Sequence, residues 1–263
     1  MKIPFFSKKQ DHYILVVSWG GMRGFYWLWI TKALEELWLR EKIDAIFWVS
    51  AWWLLASYWA AWYSTDSILD IFLHSEFLDI SKDINLIPKK SILKTTVLEK
   101  QVKRDLPKTF EELKTPIYIW CTDTQVGQST ILSSWDLVSA LMGTIAIPWV
   151  FPAVKRGDEV LIDGGVTNNF PIEKAKNIFP NHKIIGISLN KYRKNPEIKN
   201  LLDNLMVSFE IMLRKDIEPQ GQLADIFFCR ALDIPVLEFN VKKLKKVFDL
   251  WYQDGLEGLK NLI

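Results

Sequence analysis

The chain has 263 residues, 49% of them hydrophobic, which is enough to fill the core of one large α/β domain. Its 33 basic and 31 acidic residues nearly balance, which argues against a dedicated nucleic-acid binder, since such proteins carry a concentrated basic excess. The two cysteines and three histidines share no metal-ligand spacing, so we expect no metal site. The cysteines are also far apart in the chain, so we expect reduced thiols, which fit a cytoplasmic protein.

The predicted elements alternate along the chain between strands and helices. The apolar run 13–18 ends at a Gly-Gly pair and predicts a buried strand, while apolar positions at helical spacing predict a helix after Gly24. Residues 43–49 predict a second strand and residues 51–61 a second helix. This order favours a mainly parallel sheet with helices on its faces. Later helices are predicted at 96–106, 137–145 and 197–214 and from 241, and later strands at 116–122, 160–162, 182–189, 226–229 and 236–239.

The segment SWGGMRG, residues 18–24, connects the first predicted strand to the first predicted helix. Adjacent glycines leave backbone N–H groups exposed, and the positive end of a helix dipole follows them. Such a loop either is a simple tight turn or holds an anion, which can be a phosphate or the oxyanion of an acyl transfer. The candidate anion-binding residues are Gly20, Gly21, Met22, Arg23 and Gly24.

Ser50 lies at the junction of the second predicted strand and helix, in the segment WVSAW. A nucleophile elbow places a serine on a strained turn at such a junction. Glycine normally flanks the elbow because the turn crowds its neighbours, whereas this chain has Trp48 and Trp52 there. Taken alone, the segment is better explained by a serine that caps a helix.

Asp163 ends a short predicted strand and precedes Gly164 and Gly165. An aspartate at the carboxyl edge of a parallel sheet is well placed to project into a cleft. The alternative is an ordinary Asp-Gly turn. We interpret the following Asn168 and Asn169 as turn and cap residues.

Together, and in this order, the three segments resemble the motifs of the patatin-like phospholipase family: a G-G-G-x-R-G loop, a G-x-S-x-G elbow and a D-G-G motif. The helix at 28–39 and the segment AIPWVFP at 146–152 also resemble that family. The resemblance implies an α/β fold, a three-layer α/β/α sandwich with a mainly parallel central sheet. It also implies a single domain over 1–263, with a motif-bearing core at about 13–189 and a C-terminal completion of helices and a strand at 190–263.

The same resemblance implies a serine acyl hydrolase that acts on lipid esters. Ser50 would be the nucleophile and Asp163 the base, as a dyad, and backbone amides around Gly20, Gly21 and Met22 would stabilise the oxyanion. Arg23 would brace the loop or, alternatively, contact a lipid phosphate. No metal or organic cofactor is implied. The expected partner is a lipid substrate, with peripheral membrane contact, no membrane-spanning helix and no nucleic acid.

The departures from the family pattern share one direction, from glycine to tryptophan. The chain has 12 glycines, whereas average usage gives roughly 18, and exchanging seven tryptophans would raise the count to 19. We hypothesise that these seven are UGA codons that the source organism reads as glycine; UGG codons in the coding DNA would contradict this. A tryptophan at 48 or 52 would crowd the nucleophile, and one at 19 the oxyanion loop. The positions are Trp19, Trp29, Trp38, Trp48, Trp52, Trp62 and Trp149.

Three alternatives remain open at this point. Ser50, Asp163 and His182 follow the chain order of a Ser-His-Asp esterase of the α/β-hydrolase type. Genuine tryptophans at the elbow would instead indicate a non-catalytic lipid-binding homologue. The uncharged run 45–63 is also about long enough to span a membrane, although it contains Ser50 and owes its length to suspected glycine positions.

Overall fold

The structure is a computed structural model that describes residues 12–20, 23, 25–50, 53–76, 80–85, 87, 91–188, 198–229, 252 and 256–260. Gly21, Met22, Gly24 and Trp52 lie outside the described residues, as do the strand predicted at 236–239 and the start of the helix predicted from 241. The strands are β1 (Tyr13–Val17), β2 (Ile43–Val49), β3 (Ile117–Asp123), β4 (Gln128–Leu132), β5 (Val154–Arg156), β6 (Glu159–Asp163), β7 (Lys183–Ser188) and β8 (Ile226–Cys229). The helices are α1 (Phe25–Glu36), α2 (Trp53–Ala60), α3 (Thr65–Leu73), α4 (Thr96–Asp105), α5 (Leu137–Thr144), α6 (Ile172–Ile178), α7 (Leu201–Leu213) and α8 (Ile217–Gly221).

The strands form one mixed, mostly parallel sheet in the order β5-β6-β3-β2-β1-β7-β8, and β4 also pairs with β3. The pairings that join β3, β2, β1, β7 and β8 are parallel. The pairings of β3 with β4, of β3 with β6 and of β5 with β6 are antiparallel. The predicted α/β fold with a mainly parallel sheet is confirmed, and the antiparallel strands beside β3 are an addition to it.

Both faces of the sheet are covered, which makes the predicted three layers. Successive side chains of a strand point to opposite faces, and all five residues of β1 are buried. Tyr13, Leu15 and Val17 pack in one hydrophobic cluster, to which helices α1 to α5 contribute. Ile14 and Val16 pack in a second cluster, with residues of α6, α7 and α8. A strand buried on both faces is apolar throughout, as the sequence of β1 is.

The uncharged run 45–63 is divided between two elements rather than forming one continuous helix. It contains most of β2, which ends at Val49, then Ser50, and then α2 from Trp53 to Ala60. Among the residues described, no helix combines the length and the apolarity that a membrane crossing would require.

Positive φ angles at non-glycine residues are concentrated at tryptophan. Apart from Ser50, the described residues of this kind are Trp38, Trp62, Trp135 and Trp149, with φ of 56–70°. An L side chain in this left-handed region is strained, whereas glycine adopts it freely. Three of the four were already suspected to be glycine positions, so their backbone supports the recoding hypothesis. Trp135 is an eighth position of the same kind, which the sequence analysis missed.

The buried tryptophans differ in how well the fold accommodates the indole N–H group. The indole N–H groups of Trp27, Trp48 and Trp120 are buried and have no hydrogen-bond partner in the described part of the chain. A buried donor without an acceptor loses its hydration without compensation. Trp59 behaves differently, because its N–H donates to Glu35 at 2.8 Å and the Arg40 guanidinium lies 4.6 Å from its ring centre. The tryptophans therefore divide into well-accommodated and poorly accommodated ones.

Candidate active site

Ser50 follows β2 directly and has a φ of 70°, so its backbone makes the sharp turn of a nucleophile elbow. Its N–H donates to Thr144 Oγ1 at 2.9 Å, and that hydroxyl donates in turn to the carbonyl of Trp120 at 2.6 Å. Thr144 is the last residue of α5, and Trp120 lies in β3, the strand beside β2. The strained turn is thus held from two neighbouring elements, as strained sites require.

Asp163, the last residue of β6, lies against Ser50. One carboxylate oxygen, Oδ2, accepts a hydrogen bond from Ser50 Oγ, and the other accepts one from the N–H of Gly165 at 2.8 Å. The main chain of Asp163 is fixed as well, because its N–H donates to the carbonyl of Ala146 and its carbonyl accepts from Thr122 Oγ1, both at 3.0 Å. The carboxylate therefore has one oriented oxygen available for the serine hydroxyl.

The electrostatic environment of Asp163 suits a base. Complete burial raises the pKa of this carboxyl from 3.8 to about 7, because the charged form is poorly solvated there. Hydrogen bonds from Ser50, from the Gly165 backbone and from the Trp19 side chain act in the opposite direction and lower the pKa. A group with a pKa near neutrality can accept and return a proton at physiological pH.

The two glycines after Asp163 are required by close contacts. A Cβ on Gly164 would lie only 2.3 Å from the carbonyl oxygen of Trp120, so a side chain at this position would push β3 away. A Cβ on Gly165 would lie 3.1 Å from Asp163 Oδ1 and 3.3 Å from Trp19 Cδ1. The Asp-Gly-Gly motif thus lets the turn approach both β3 and the glycine-rich loop.

The glycine-rich loop starts beside this turn. Ser18 donates its N–H to the carbonyl of Ile187 at 3.0 Å, and Trp19 donates its N–H to Asn169 Oδ1 at 2.9 Å. Gly20 follows, and its carbonyl accepts the N–H of Arg23 at 3.3 Å. The described parts of the loop therefore lie at the carboxyl ends of β1 and β7, next to the end of the strand that precedes Ser50.

Arg23 is turned into the protein. Its Nη2 donates to both carboxylate oxygens of Glu210, at 3.1 and 3.0 Å, and the exposed fractions of the two side chains are 2% and 9%. A guanidinium in this position fixes the loop to α7. The guanidinium is directed away from solvent, where a lipid phosphate would lie, and the bracing role stays a prediction.

The side chains of the site are closed off from solvent. Ser50 and Asp163 have no exposed surface, and neither do Trp19 and Trp48. The Trp19 ring packs edge-on against Phe209, with ring centres 5.7 Å apart, and Trp48 packs in the same manner against Trp27 at 4.7 Å. Because Ser50 has no exposed surface, an ester cannot reach it without a rearrangement.

The model of the family described as patatin-like phospholipase matches residues 15–176. The chain belongs to the patatin-like phospholipase family. Its fold is similar to that of VipD from Legionella pneumophila, with a TM-score of 0.57 and 12% identity over 96% of this chain and 67% of VipD. That likeness concerns the fold alone.

Two further structures were matched at lower similarity. The type III effector protein ExoU has a TM-score of 0.46 at 10% identity, and 96% of this chain covers 53% of that chain. Full-length ExoU from Pseudomonas aeruginosa, in complex with SpcU, has a TM-score of 0.45 at 11% identity and the same coverage. The patatin-like chain therefore spans about half the length of ExoU.

The histidines of this patatin-like chain lie away from Ser50 and Asp163, so the Ser-His-Asp alternative is wrong. His182 Nε2 contacts Asp44 Oδ2 at 2.9 Å, and His12 Nδ1 lies at the same distance from that carboxylate. Asp44 is at the start of β2 and Ser50 follows its end, about 20 Å away along the strand. His74 is exposed at the end of α3.

Among the described residues, no three His, Cys, Asp or Glu side chains are grouped as a metal site requires.

Sequence reasoning missed three residues that support the site, namely Thr144, Asn169 and Glu210. Asn169 was interpreted as a turn residue, yet it is buried and joins Trp19 to the carbonyl of Leu213 through its Nδ2, at 2.9 Å. Glu210 is an isolated acid in the apolar run LMVSFEIML, which is a detectable signal of a buried partner. Thr144 carries no comparable signal in the sequence.

Proposed function

We propose that this chain is a serine acyl hydrolase that cleaves carboxylic ester bonds of phospholipids or other lipids through a Ser50–Asp163 dyad. The observation that carries the proposal is the hydrogen bond from Ser50 Oγ to the buried Asp163 carboxylate, at an elbow that follows a parallel strand. Membership of the patatin-like phospholipase family supports the lipid substrate.

In the first half of the reaction, Ser50 Oγ attacks the ester carbonyl while Asp163 accepts the hydroxyl proton. The tetrahedral intermediate collapses, the bond to the leaving alcohol breaks, and the alcohol takes the proton from Asp163. The acyl group then remains on Ser50 as an ester. A pKa of about 7 lets Asp163 serve in both directions near neutral pH.

In the second half, water replaces the alcohol. Asp163 removes a proton from the water as it attacks the acyl-enzyme carbonyl. The intermediate then collapses, the bond to Ser50 Oγ breaks, and Oγ takes the proton back from Asp163, which releases the free fatty acid and restores the ionised carboxylate. Gly165 N–H keeps the carboxylate oriented through both halves, which is the role that a third group has in a triad. No cofactor takes part in either half.

The oxyanion of both intermediates would lie against the glycine-rich loop. The backbone amides of Gly20, Gly21 and Met22 are the proposed donors, of which Gly20 belongs to the described residues. Preorganised N–H donors of this kind are worth roughly 10²–10³-fold each in rate. A lipid substrate also requires that the enzyme approaches a membrane surface, so peripheral membrane contact is part of the proposal.

A second candidate, a non-catalytic lipid-binding homologue, is favoured by one observation. Ser50 and Asp163 are completely buried, and the Trp19 side chain lies beside Gly165 in the space that faces the dyad. If all the tryptophans are genuine, the chain keeps the fold and the dyad but admits no ester.

One assay separates the two candidates. Hydrolysis of a fluorogenic fatty-acid ester is compared between the chain as written and a glycine-restored chain, in which the seven tryptophans at 19, 29, 38, 48, 52, 62 and 149, and Trp135 as the eighth, are replaced by glycine. We expect the glycine-restored chain to hydrolyse the ester, and Ser50→Ala to reduce its kcat by at least about 10³-fold. Equal rates with and without Ser50 in both chains would overturn the hydrolase proposal.

A further inference from the structure

We propose that Glu210 is a positioning residue, which holds the glycine-rich loop in its working geometry through Arg23. The inference rests on the proposed function, because the amides of this loop matter to the rate only if an oxyanion forms against them. Glu210 lies in α7, beyond residue 176 where the family match ends, so the motifs that identify the family do not include it.

The contact between the two residues is strong and geometrically restrictive. Arg23 Nη2 donates to both Glu210 oxygens, at 3.1 and 3.0 Å, in an almost fully buried environment. Charge-assisted hydrogen bonds are about twice as strong as neutral ones. The N–H of Arg23 also donates to the carbonyl of Gly20, so the position of Arg23 is coupled directly to the backbone of a proposed donor residue.

An ion pair is an inefficient way to pack a helix against a loop. Burying two charges costs solvation free energy, and the attraction between the charges offsets that cost only in good geometry. Apolar residues of similar volume at the same two positions often stabilise the fold equally or more. Glu210 here also accepts from Arg214 at 3.3 Å, so its carboxylate is shared by two guanidinium groups. We infer that the pair is useful for orientation and not for stability.

The same helix contacts the other end of the loop and the Asp-Gly-Gly turn. The Leu213 carbonyl accepts from Asn169, whose Oδ1 accepts the backbone N–H of Trp19, a contact that a glycine at this position keeps. A Cβ on Gly165 would lie 3.4 Å from Leu213 Cδ1. Helix α7 therefore sets the distance between the glycine-rich loop and the dyad, and its residue Glu210 contacts the loop at Arg23.

Positioning and simple stabilisation give different kinetics. A residue that only stabilises the fold changes the unfolding midpoint and leaves kcat unchanged at temperatures where the protein is folded. Displacing an oxyanion donor weakens a hydrogen bond that is made only in the transition state, so kcat falls while KM is unchanged. Displacement by about 1 Å can cost roughly 10²-fold.

The test uses Glu210→Gln in whichever chain, as written or glycine-restored, shows Ser50-dependent hydrolysis. We expect kcat to fall about 10–100-fold with KM within about twofold, at a temperature well below the unfolding midpoint. The matched control is Glu218→Gln, which removes the same charge from an exposed position on α8 and leaves kcat unchanged.

A double variant tests whether Glu210 acts through Arg23. Arg23→Lys keeps the charge without the planar guanidinium, and its combination with Glu210→Gln should lower kcat no more than the worse single variant does. An unchanged kcat in Glu210→Gln, or multiplicative losses in the double variant, would overturn the proposal.

A second measurement does not depend on activity. Hydrogen exchange followed by mass spectrometry on peptides that cover residues 18–25 reports whether the loop amides open more easily. Glu210→Gln should accelerate this exchange and Glu218→Gln should not. If no chain hydrolyses the ester, the proposed function fails and the exchange still decides the role of Glu210; unchanged exchange would overturn it.

Discussion

At the residue scale, Asp163 has the contact and the pKa that a base for Ser50 needs. Because the base works in its ionised form, kcat/KM should rise with pH through a midpoint well above pH 4, since burial raises the pKa of Asp163, and level off above it. A pH profile of ester hydrolysis by the glycine-restored chain measures this directly. Half-maximal activity near pH 4, the range of an ordinary aspartate, would contradict the assigned environment.

The same pKa shift predicts how stability depends on pH. In the folded state the pKa is raised above its ordinary value of 3.8, so between about pH 4 and pH 7 the folded chain holds a proton that the unfolded chain has lost. Asp163 therefore contributes stability at low pH that is lost as the pH rises through this window. We expect Asp163→Asn to have a higher Tm than its parent at pH 8 and a similar one at pH 4.

Thermal unfolding at the two pH values checks this, with Asp158→Asn as the control because Asp158 is exposed in a turn. A lower Tm for Asp163→Asn at pH 8 would show that the carboxylate stabilises the folded chain after all. That result would conflict with burial as the main cause of the shift.

Thr144 offers a third test at this scale. Thr144→Val keeps the shape but leaves the N–H of Ser50 and the carbonyl of Trp120 without their hydrogen-bond partner in a buried site. We expect a loss of about 1–3 kcal/mol in the free energy of unfolding, and a loss of roughly tenfold in kcat because the elbow shifts. Thr144→Ser, which keeps the hydroxyl, should restore most of both in urea titrations and rate assays. Equal losses in the Val and Ser variants would mean that the hydroxyl is not what holds the turn.

At the scale of elements, several turns and helix ends contain a tryptophan in the left-handed region. Trp38, Trp62, Trp135 and Trp149 have positive φ and partly exposed side chains, so replacement by glycine relieves strain. We expect this relief to exceed the loss of the surface contacts that Trp62 makes with Arg40 and Lys114 and that Trp149 makes with Phe209. We expect each Trp→Gly change to stabilise the chain by about 1–2 kcal/mol. Trp59→Gly is the control and should destabilise, because Trp59 is buried, bonded to Glu35 and stacked by Arg40. Denaturant unfolding measures both, and losses at the four turn positions would contradict the glycine hypothesis.

The parallel half of the fold could be predicted because its signals are local. The strand predicted at 43–49 matches β2, and the one at 226–229 matches β8, since apolar runs of that length between turns specify buried strands. The antiparallel β4 and β5 were missed, because β4 is largely exposed and β5 has only three residues, so neither shows the apolar run. The helix predicted at 197–214 begins later, since Asn200 caps α7 by accepting the N–H of Asp203.

At the scale of the whole molecule, the site is assembled from distant parts of the chain. The order and spacing of the motifs pointed to Ser50 and Asp163, and the structure brings these two side chains into hydrogen-bond contact. The contact between Arg23 and Glu210 joins residues 187 positions apart and depends on how α7 packs on the sheet, which no local pattern contains. The family match over 15–176 therefore covers Ser50 and Asp163 but leaves out α7, whose Glu210 contacts Arg23.

The central claim is that Ser50 is a nucleophile activated by Asp163. A fluorophosphonate probe that reacts with activated serines, followed by peptide mass spectrometry of the glycine-restored chain, tests it most directly. The structure predicts one adduct, on Ser50, that is absent in Ser50→Ala and forms at least about 100-fold more slowly in Asp163→Asn. An adduct on another residue, or labelling of Ser50 at the same rate in Asp163→Asn, would contradict it.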